Sequence, residues 1–416
     1  MGWRDVSRGI CLARLGLACL AALPFGGRAQ DLGLHGYLDG RLVTAPAERS
    51  WVEGGLGKSR FGDGGTAVRF GGAALVGTAQ LTPSLLAFAG VQLQDHDRAG
   101  IDVLEAYLRW RPVSTSRWRG SVLAGAFFPP VSLENDAIGW TSPWTLTPSA
   151  INSWVGEELR AVGVEGRIER RGGWATWELR GALFQRNDPA GNLLAVRGWS
   201  LSDLTYGLGS RLREPDAYLR DEGEEPPRRY DPFRRIGQHW GAYAQLTWRA
   251  PGQGRVSLMH YDNHADPTAW VSYEGGDRLY AWRTRFWSLG ATTDTGPITW
   301  IAQAMDGDTV IEPVANLSFT TRYRAAFLLA GWNRGAWRPT LRLDHFSTRE
   351  LPKTPGLHAG EHGNAITAAL NWRPHDWLRL TVEALHIDST RTVRVDYGLP
   401  PRVRGTQLQL SARLFY

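Results

Sequence analysis

About sixteen segments of this chain alternate apolar and polar residues with period two, and the connections between them alternate in length. Short joins at 82–84, 112–117, 171–173, 250–254, 294–296, 332–336 and 374–376 take turns with longer ones at 44–65, 95–100, 129–157, 187–237, 263–281, 306–318, 347–363 and 389–404. Two stacked soluble sheets have no reason to sort their turns this way. A cylinder crossing a bilayer does, because its strands run up and down between a side with tight turns and a side with long loops. The segments fall near 32–43, 66–81, 85–94, 101–111, 118–128, 158–170, 174–186, 238–249, 255–262, 282–293, 297–305, 319–331, 337–346, 364–373, 377–388 and 405–416. The expected fold is all-β: a transmembrane antiparallel up-and-down β-barrel of about 16 strands, with short periplasmic turns and long extracellular loops.

The last segment carries the pattern most cleanly. Leu408, Leu410, Ala412, Leu414 and Tyr416 share one face, and Gln407, Gln409, Ser411 and Arg413 share the other. Its length of about 9–11 residues suits a bilayer-spanning strand, and a terminal Tyr suits the headgroup level. The stretch resembles the closing strand of bacterial outer-membrane barrels. Nine tryptophans (Trp110, Trp118, Trp174, Trp248, Trp300, Trp332, Trp337, Trp372 and Trp377) sit beside the short turns, where a periplasmic aromatic belt belongs.

At the front, Arg4, Arg8 and Arg14 precede an apolar run from Leu15 to Leu23, and Gly27-Arg28-Ala29 offers a small-residue cleavage site. Residues 1–29 therefore read as a secretory signal peptide, with 30–416 as a single transmembrane barrel bound for the bacterial outer membrane. Both cysteines, Cys11 and Cys19, lie inside the leader, so disulfide and thiol chemistry are excluded from the mature chain. Removing the leader takes away Arg4, Arg8, Arg14, Arg28 and Asp5, three net positive charges, and leaves +3 of the original +6. That balance gives no reason to expect nucleic acid as a partner.

With about sixteen strands the interior is too wide for side chains alone to fill, so what narrows it decides what passes. The connection 129–157 is the candidate: it is apolar (Ile138, Trp140, Trp144, Leu146, Ile151, Trp154) and carries Glu134 and Asp136. Folded inward, it would pack its rings against one wall and present Glu134 and Asp136 as the constriction. Inward parity nominates Glu105, Tyr107, Arg109, Arg111, Arg167, Arg180, Arg322, Arg324, Arg342, Arg379 and Arg413 as lining, offset by Glu165, Glu178, Asp344 and Glu383. In the fourth segment the same parity sends Leu104, Ala106, Leu108 and Trp110 outward. The segment 187–237, with Asp221 to Glu225 and then Arg228, Arg229, Arg234 and Arg235, reads as a mobile outer loop touching anionic lipopolysaccharide.

Leu104 to Pro112 (LEAYLRWRP) and Gly125 to Glu134 (GAFFPPVSLE) resemble the strand-then-loop passage of the phosphate-selective porin family. The resemblance implies a sixteen-stranded barrel, a homotrimer, an inward-folded third loop and an arginine-lined path. Phosphate selectivity in that family leans on a lysine cluster, and the lysines here are Lys58 and Lys353 alone. The expected function is an outer-membrane porin: an aqueous channel for passive diffusion of small hydrophilic solutes, anions among them. Its expected partners are the lipid bilayer, lipopolysaccharide and those solutes.

The alternative is a receptor, an adhesin or a barrel enzyme acting through its extracellular loops. No nucleophile and base stand out, so enzyme activity is not expected. Nor is a cofactor. Gly57-Lys58-Ser59 lacks the glycine that a phosphate-binding loop needs five residues earlier. His260, Asp262, His264 and Asp266, like His358 and His362, lack a recognised third-ligand spacing.

Overall fold

The computed structural model describes residues 31–94, 101–222, 226–273, 277–314, 317–351 and 360–416. The leader 1–29, Lys353 and His358 lie outside the described residues. Sixteen strands close into one antiparallel cylinder. In chain order the wall strands are β1 Asp31–Thr44, β2 Thr66–Thr82, β3 Leu85–Leu93, β4 Ile101–Trp110, β5 Trp118–Phe127, β6 Ala161–Arg171, β7 Thr176–Gln185 and β8 Gly241–Ala250. They continue as β9 Gly254–Asp262, β10 Arg283–Thr295, β11 Ile298–Val314, β12 Leu317–Trp332, β13 Trp337–Leu351, β14 Glu361–His375, β15 Leu378–Arg391 and β16 Arg402–Phe415.

Closure is made by β1 against β16, from Tyr37 opposite Phe415 to Thr44 opposite Leu408. Gly36 and Tyr416 complete it, each donating its N–H to the other's carbonyl at 3.0 Å. The terminal aromatic thus ends in the seam, half of a hydrogen-bonded pair. Outside, alternate residues such as Leu408, Leu410 and Leu414, or Leu341 and Leu343, are exposed as a lipid-facing surface needs. Trp110, Trp118, Trp174, Trp332, Trp337, Trp372 and Trp377 are exposed at the short-turn end, and Trp337 stacks on Trp372 with centroids 5.3 Å apart.

Three details depart from the sequence reading. The connection expected over 306–318 is mostly strand: β11 runs to Val314 and β12 begins at Leu317, so the alternation of short and long joins is broken there. In β4 the register slips, with Gly90 opposite Glu105 and Val91 opposite Val103. Leu104 is the extra residue of this bulge, which reverses its facing: expected outward, it is 2% exposed and joins the internal apolar cluster.

The third departure is helix. Ser149 caps α1 (Ala150–Glu158) by accepting from the Asn152 N–H at 3.3 Å. Within 187–237 lie α2 (Asn192–Val196), α3 (Asp216–Glu222) and a ribbon of Leu212–Arg213 with Arg229–Tyr230.

Replacing Leu410, at the middle of the outer face of β16, with Arg is expected to cost about 2–4 kcal/mol of folding free energy in lipid. Arg404→Leu, near the opposite end of the same strand, is expected to change it by less than about 1 kcal/mol. Reversible urea unfolding in phospholipid vesicles measures both. Equal costs would mean that this face does not contact lipid.

Candidate functional site

Three connections, 44–65, 128–160 and 187–237, turn back inside the cylinder, and the inward side chains of the wall receive them. After β5, Pro129 and Pro130 end the strand, and the wall takes over the freed carbonyls. Gln245 Nε2 donates to the Pro130 carbonyl at 2.6 Å, and Gln303 Nε2 donates to that of Val131 at 2.8 Å. Further on, Glu383 on β15 accepts from the backbone N–H groups of Leu146 and Thr147, at 2.5 and 3.1 Å. Asp344 on β13 accepts from the Ala150 N–H at 3.1 Å, and Asn371 on β14 donates to the Trp144 carbonyl at 2.7 Å. A buried chain without secondary structure needs such partners for its peptide groups.

The hub of this arrangement is Arg342, fully buried on β13. Its guanidinium donates to the carbonyls of Thr147 (2.7 Å) and Pro148 (3.0 Å), to the hydroxyls of Thr145 and Thr367 (both 3.0 Å), and to Asp344 Oδ2 (2.8 Å). Glu134 Oε2 lies 3.4 Å from the same group. The other Glu134 oxygen accepts from the Ser149 N–H and Asn152 Nδ2, both at 2.7 Å. Behind it, the Trp144 ring occupies the space that a side chain at Gly331 would need.

The connection 187–237 also lies inside, against the expectation of a mobile outer loop. Its apolar residues find cover there: Leu193, Leu194, Trp199, Leu201, Leu204, Tyr206 and Phe233 are all at most 2% exposed. Trp199 donates Nε1 to the Ser347 carbonyl at 3.0 Å. Its ring joins Trp154, Phe286 and Tyr323, with Trp154 centred 6.2, 5.7 and 5.3 Å from Trp199, Phe286 and Tyr323. Charged pairs tie the segments together: Arg41 with Asp203 at 2.6 Å, Arg60 with Asp203 at 3.1 Å, Lys58 with Glu361 at 2.5 Å and Arg197 with Glu157 at 2.8 Å.

The interior therefore has two unlike regions, which overlap on β7 to β9, where the aromatic and arginine residues occupy opposite ends of the same strands. From β7 round to β15 the inward residues include Phe184, Tyr243, Tyr261, Phe286, Tyr323, Phe327, Phe346 and Leu385, all buried beneath the inward segments. The wall from β3 to β9 keeps partly exposed inward side chains: Tyr107, stacked on Phe88 at 4.7 Å, with Arg109, Arg119, Arg167, Arg180, Arg249 and Arg255. One carboxylate, Glu178, serves three of these: Arg167 at 2.5 Å, Arg180 at 2.5 Å and Arg249 at 3.3 Å. Among the described residues Arg109, Arg119 and Arg255 have no carboxylate partner. The accessible wall therefore carries unneutralised positive charge.

Measured against this geometry, the expected site residues divide. Arg109, Arg167 and Arg180 lie on the accessible arc, and Arg111 is exposed just past the end of β4. The Glu105 carboxylate instead accepts from the Phe128 N–H at 3.1 Å, fastening the start of the inward segment. Arg342, Arg379 and Arg413 face inward but are buried, Arg413 against Asp39 at 2.8 Å. Glu134, expected at the constriction, is fully buried beside Arg342. Asp136 is exposed, within electrostatic reach of Arg338 and Arg255.

Arg322 and Arg324 are on the outside. Tyr323 between them is 0% exposed inside the barrel, and both guanidinia bind Asp306 on the outer face. Arg119, Arg249 and Arg255 were missed, although they share inward parity with Ser121, Thr247 and Ser257. His260 is also on the outer face, its ring 4.6 Å from that of Trp287.

Two outcomes are expected. Arg342→Leu leaves Glu134 and Asp344 buried without their shared cation, at a cost of about 3–5 kcal/mol. Limited proteolysis should then cut within 128–160, where the unaltered protein resists.

The second concerns pH. Burial raises the Glu158 carboxyl to about 7, although it accepts from Trp154 Nε1 at 2.6 Å and the Gly191 N–H at 3.0 Å. Burial likewise raises Glu214 to about 8. Both values lie above that of an unfolded glutamate, about 4.3. The packed segment thus holds these protons more tightly than the open one, and its stability falls as pH rises from about 4.3 through 7 and 8. Hydrogen exchange of 190–206, corrected for intrinsic rates, should show stronger protection at pH 5.5 than at pH 8.5, and Glu158→Gln should reduce the difference.

No protein-family model matches the chain, and no curated protein matches its sequence. Solved structures do share its architecture. The outer-membrane channel DcaP of Acinetobacter baumannii is 11% identical, with 94% of this chain and 99% of that one covered at a TM-score of 0.55. An anion-selective porin from Comamonas acidovorans is 12% identical, with 93% and 99% covered at 0.53. OmpT of Vibrio cholerae in its trimer form is 11% identical, with 93% and 99% covered at 0.51. At such identities the likeness is one of fold: the chain is a β-barrel of the bacterial outer-membrane type.

Proposed function

We propose that the protein is an outer-membrane channel that passes small hydrophilic anions along its arginine-bearing arc, with the inward segments narrowing the bore. The observation that carries this reading is the positive excess on the accessible inward wall, where Arg109, Arg119, Arg167, Arg180, Arg249 and Arg255 face Glu165, Glu169 and Glu178. Fixed cationic side chains lower the barrier for anions and raise it for cations. The fold shared with a protein described as an anion-selective porin supports it. The buried segment 128–160 supports a restricted path in place of a wide general pore.

A homotrimer is the assembly we expect, in keeping with the neighbour solved as a trimer. The alternative, a receptor, adhesin or enzyme acting through extracellular loops such as 187–237, is less favoured by that loop, whose apolar residues are buried.

In planar bilayers under a salt gradient, the reversal potential is expected to report anion preference. Arg167→Gln/Arg180→Gln/Arg255→Gln should move it toward zero, and Asp136→Asn should move it the other way. Cation preference in the unaltered protein, or no steady conductance at all, would overturn the proposal. Millimolar phosphate that blocks chloride current would narrow the substrate class to phosphate-like anions.

A further inference from the structure

The strands from β11 to β16 rise beyond the apolar band, and their outer face changes character there. On β12 the outward residues run Trp332, Ala330, Leu328, Ala326 and then Arg324 and Arg322. On β13, Leu341 and Leu343 give way to His345, Ser347 and Arg349, and on β14, Ile366 gives way to Asn364 and His362. This end is opposite the tryptophan belt, on the side of the long connections, so the change of character falls at the headgroups of the outer leaflet.

A cleft of about 390 Å³ opens in this outer wall, lined by Arg322, Arg324, Arg349, His362, Ser347 and Thr390, among others. Its charges do not balance. Arg322 and Arg324 share a single carboxylate, Asp306, at 3.0 and 2.5 Å. Arg349 has no carboxylate partner among the described residues. Glu361 also borders the cleft, but its charge is engaged from the inner side, by Lys58 at 2.5 Å, Ser389 Oγ at 2.8 Å and Arg391 at 3.7 Å. Three guanidinium groups against one free-facing carboxylate leave a double positive excess, with hydroxyl groups beside it to donate further hydrogen bonds.

The two N–H groups of a guanidinium fork can pair with two oxygens of one phosphate, and two or three such forks around one cleft suit a phosphate better than a neutral ligand. The volume sits at the lower end of ligand pockets, about 300–1,000 Å³, which is room for a phosphate together with the sugar that bears it.

We propose that this cleft binds a sugar-borne phosphate monoester, presented by a glycolipid of the outer leaflet. The site is on the outside of the cylinder and does not depend on what the interior conducts.

Native mass spectrometry of the full mature chain in detergent tests it, with bis-phosphorylated lipid A and its dephosphorylated form as probes. The phosphorylated probe is expected to bind at least about tenfold more tightly, the worth of one charge-assisted contact. Arg349→Gln should lose about tenfold, and Arg322→Gln/Arg349→Gln should lose more. Arg404→Gln, outside the cleft, should leave binding unaltered. If the double variant fails to insert, Arg349→Gln alone carries the test.

Inorganic phosphate in millimolar excess separates the sources. Competition would mean that the anion suffices, and lack of competition would mean that the lipid-borne headgroup is required. Equal binding of the dephosphorylated probe, or full retention by the Arg349→Gln protein, would overturn the proposal.

Discussion

Inside a bilayer no water is available to the peptide group, so every N–H and C=O of a spanning chain must find its partner within the protein. This chain meets the requirement by closing its sheet, and the final pair between Gly36 and Tyr416 is where the requirement is discharged. The rest of the architecture follows from that closure. Strands must alternate in facing, the outer face must be apolar through the band, and connections can be long only where they leave the membrane.

Closure at sixteen strands raises a second problem, since the cylinder encloses more space than its own side chains can fill. Here the chain fills much of it with its own connections. Their irregular backbone is tolerated because Glu383, Asp344, Arg342, Asn371 and Gln303 supply the hydrogen bonds that a helix or sheet would otherwise make. Polar residues on the inward face of β11 and β13 to β15 are therefore consumed by structure. Charge that is consumed this way cannot steer a solute. The positive charge that remains is on the arc from β3 to β9, where three arginines share Glu178 and three more have no carboxylate among the described residues.

The fold was legible in the sequence because membrane strands carry two strong signals at once, an apolar alternate residue and an aromatic at the turn. All sixteen wall strands occur where the alternation places them, differing mainly in length. Facing was less legible beyond the apolar band. Arg322 and Arg324 read as inward because charge argues for water, yet both sides of the strand are polar at that height. Counting back in steps of two from Leu328 and Ala326 gives their true, outward facing. Leu104 could not be found by counting at all, since a bulge breaks parity and leaves no residue-type signature in β4. The fate of 187–237 was hidden for another reason: its charged stretch from Asp221 dominated the reading, while Trp199, Leu201, Leu204 and Tyr206 already told of a surface needing cover.

Glu134 shows how composition misleads about a site even when the segment is correctly chosen. A carboxylate in an inward loop was expected to face the opening, because water is where an ionised group is stable. Arg342, Ser149 and Asn152 instead partner both oxygens in place of water. The acidic residue that stays available is Asp136, two positions on and exposed. In the proposed channel an anion passing Asp136 would meet repulsion there and attraction from Arg255, which lies within electrostatic reach of that carboxylate. On the reading proposed above, solutes would be sorted by whether they can exchange water for guanidinium donors, which compact, strongly hydrogen-bonding anions do more readily than apolar or cationic ones.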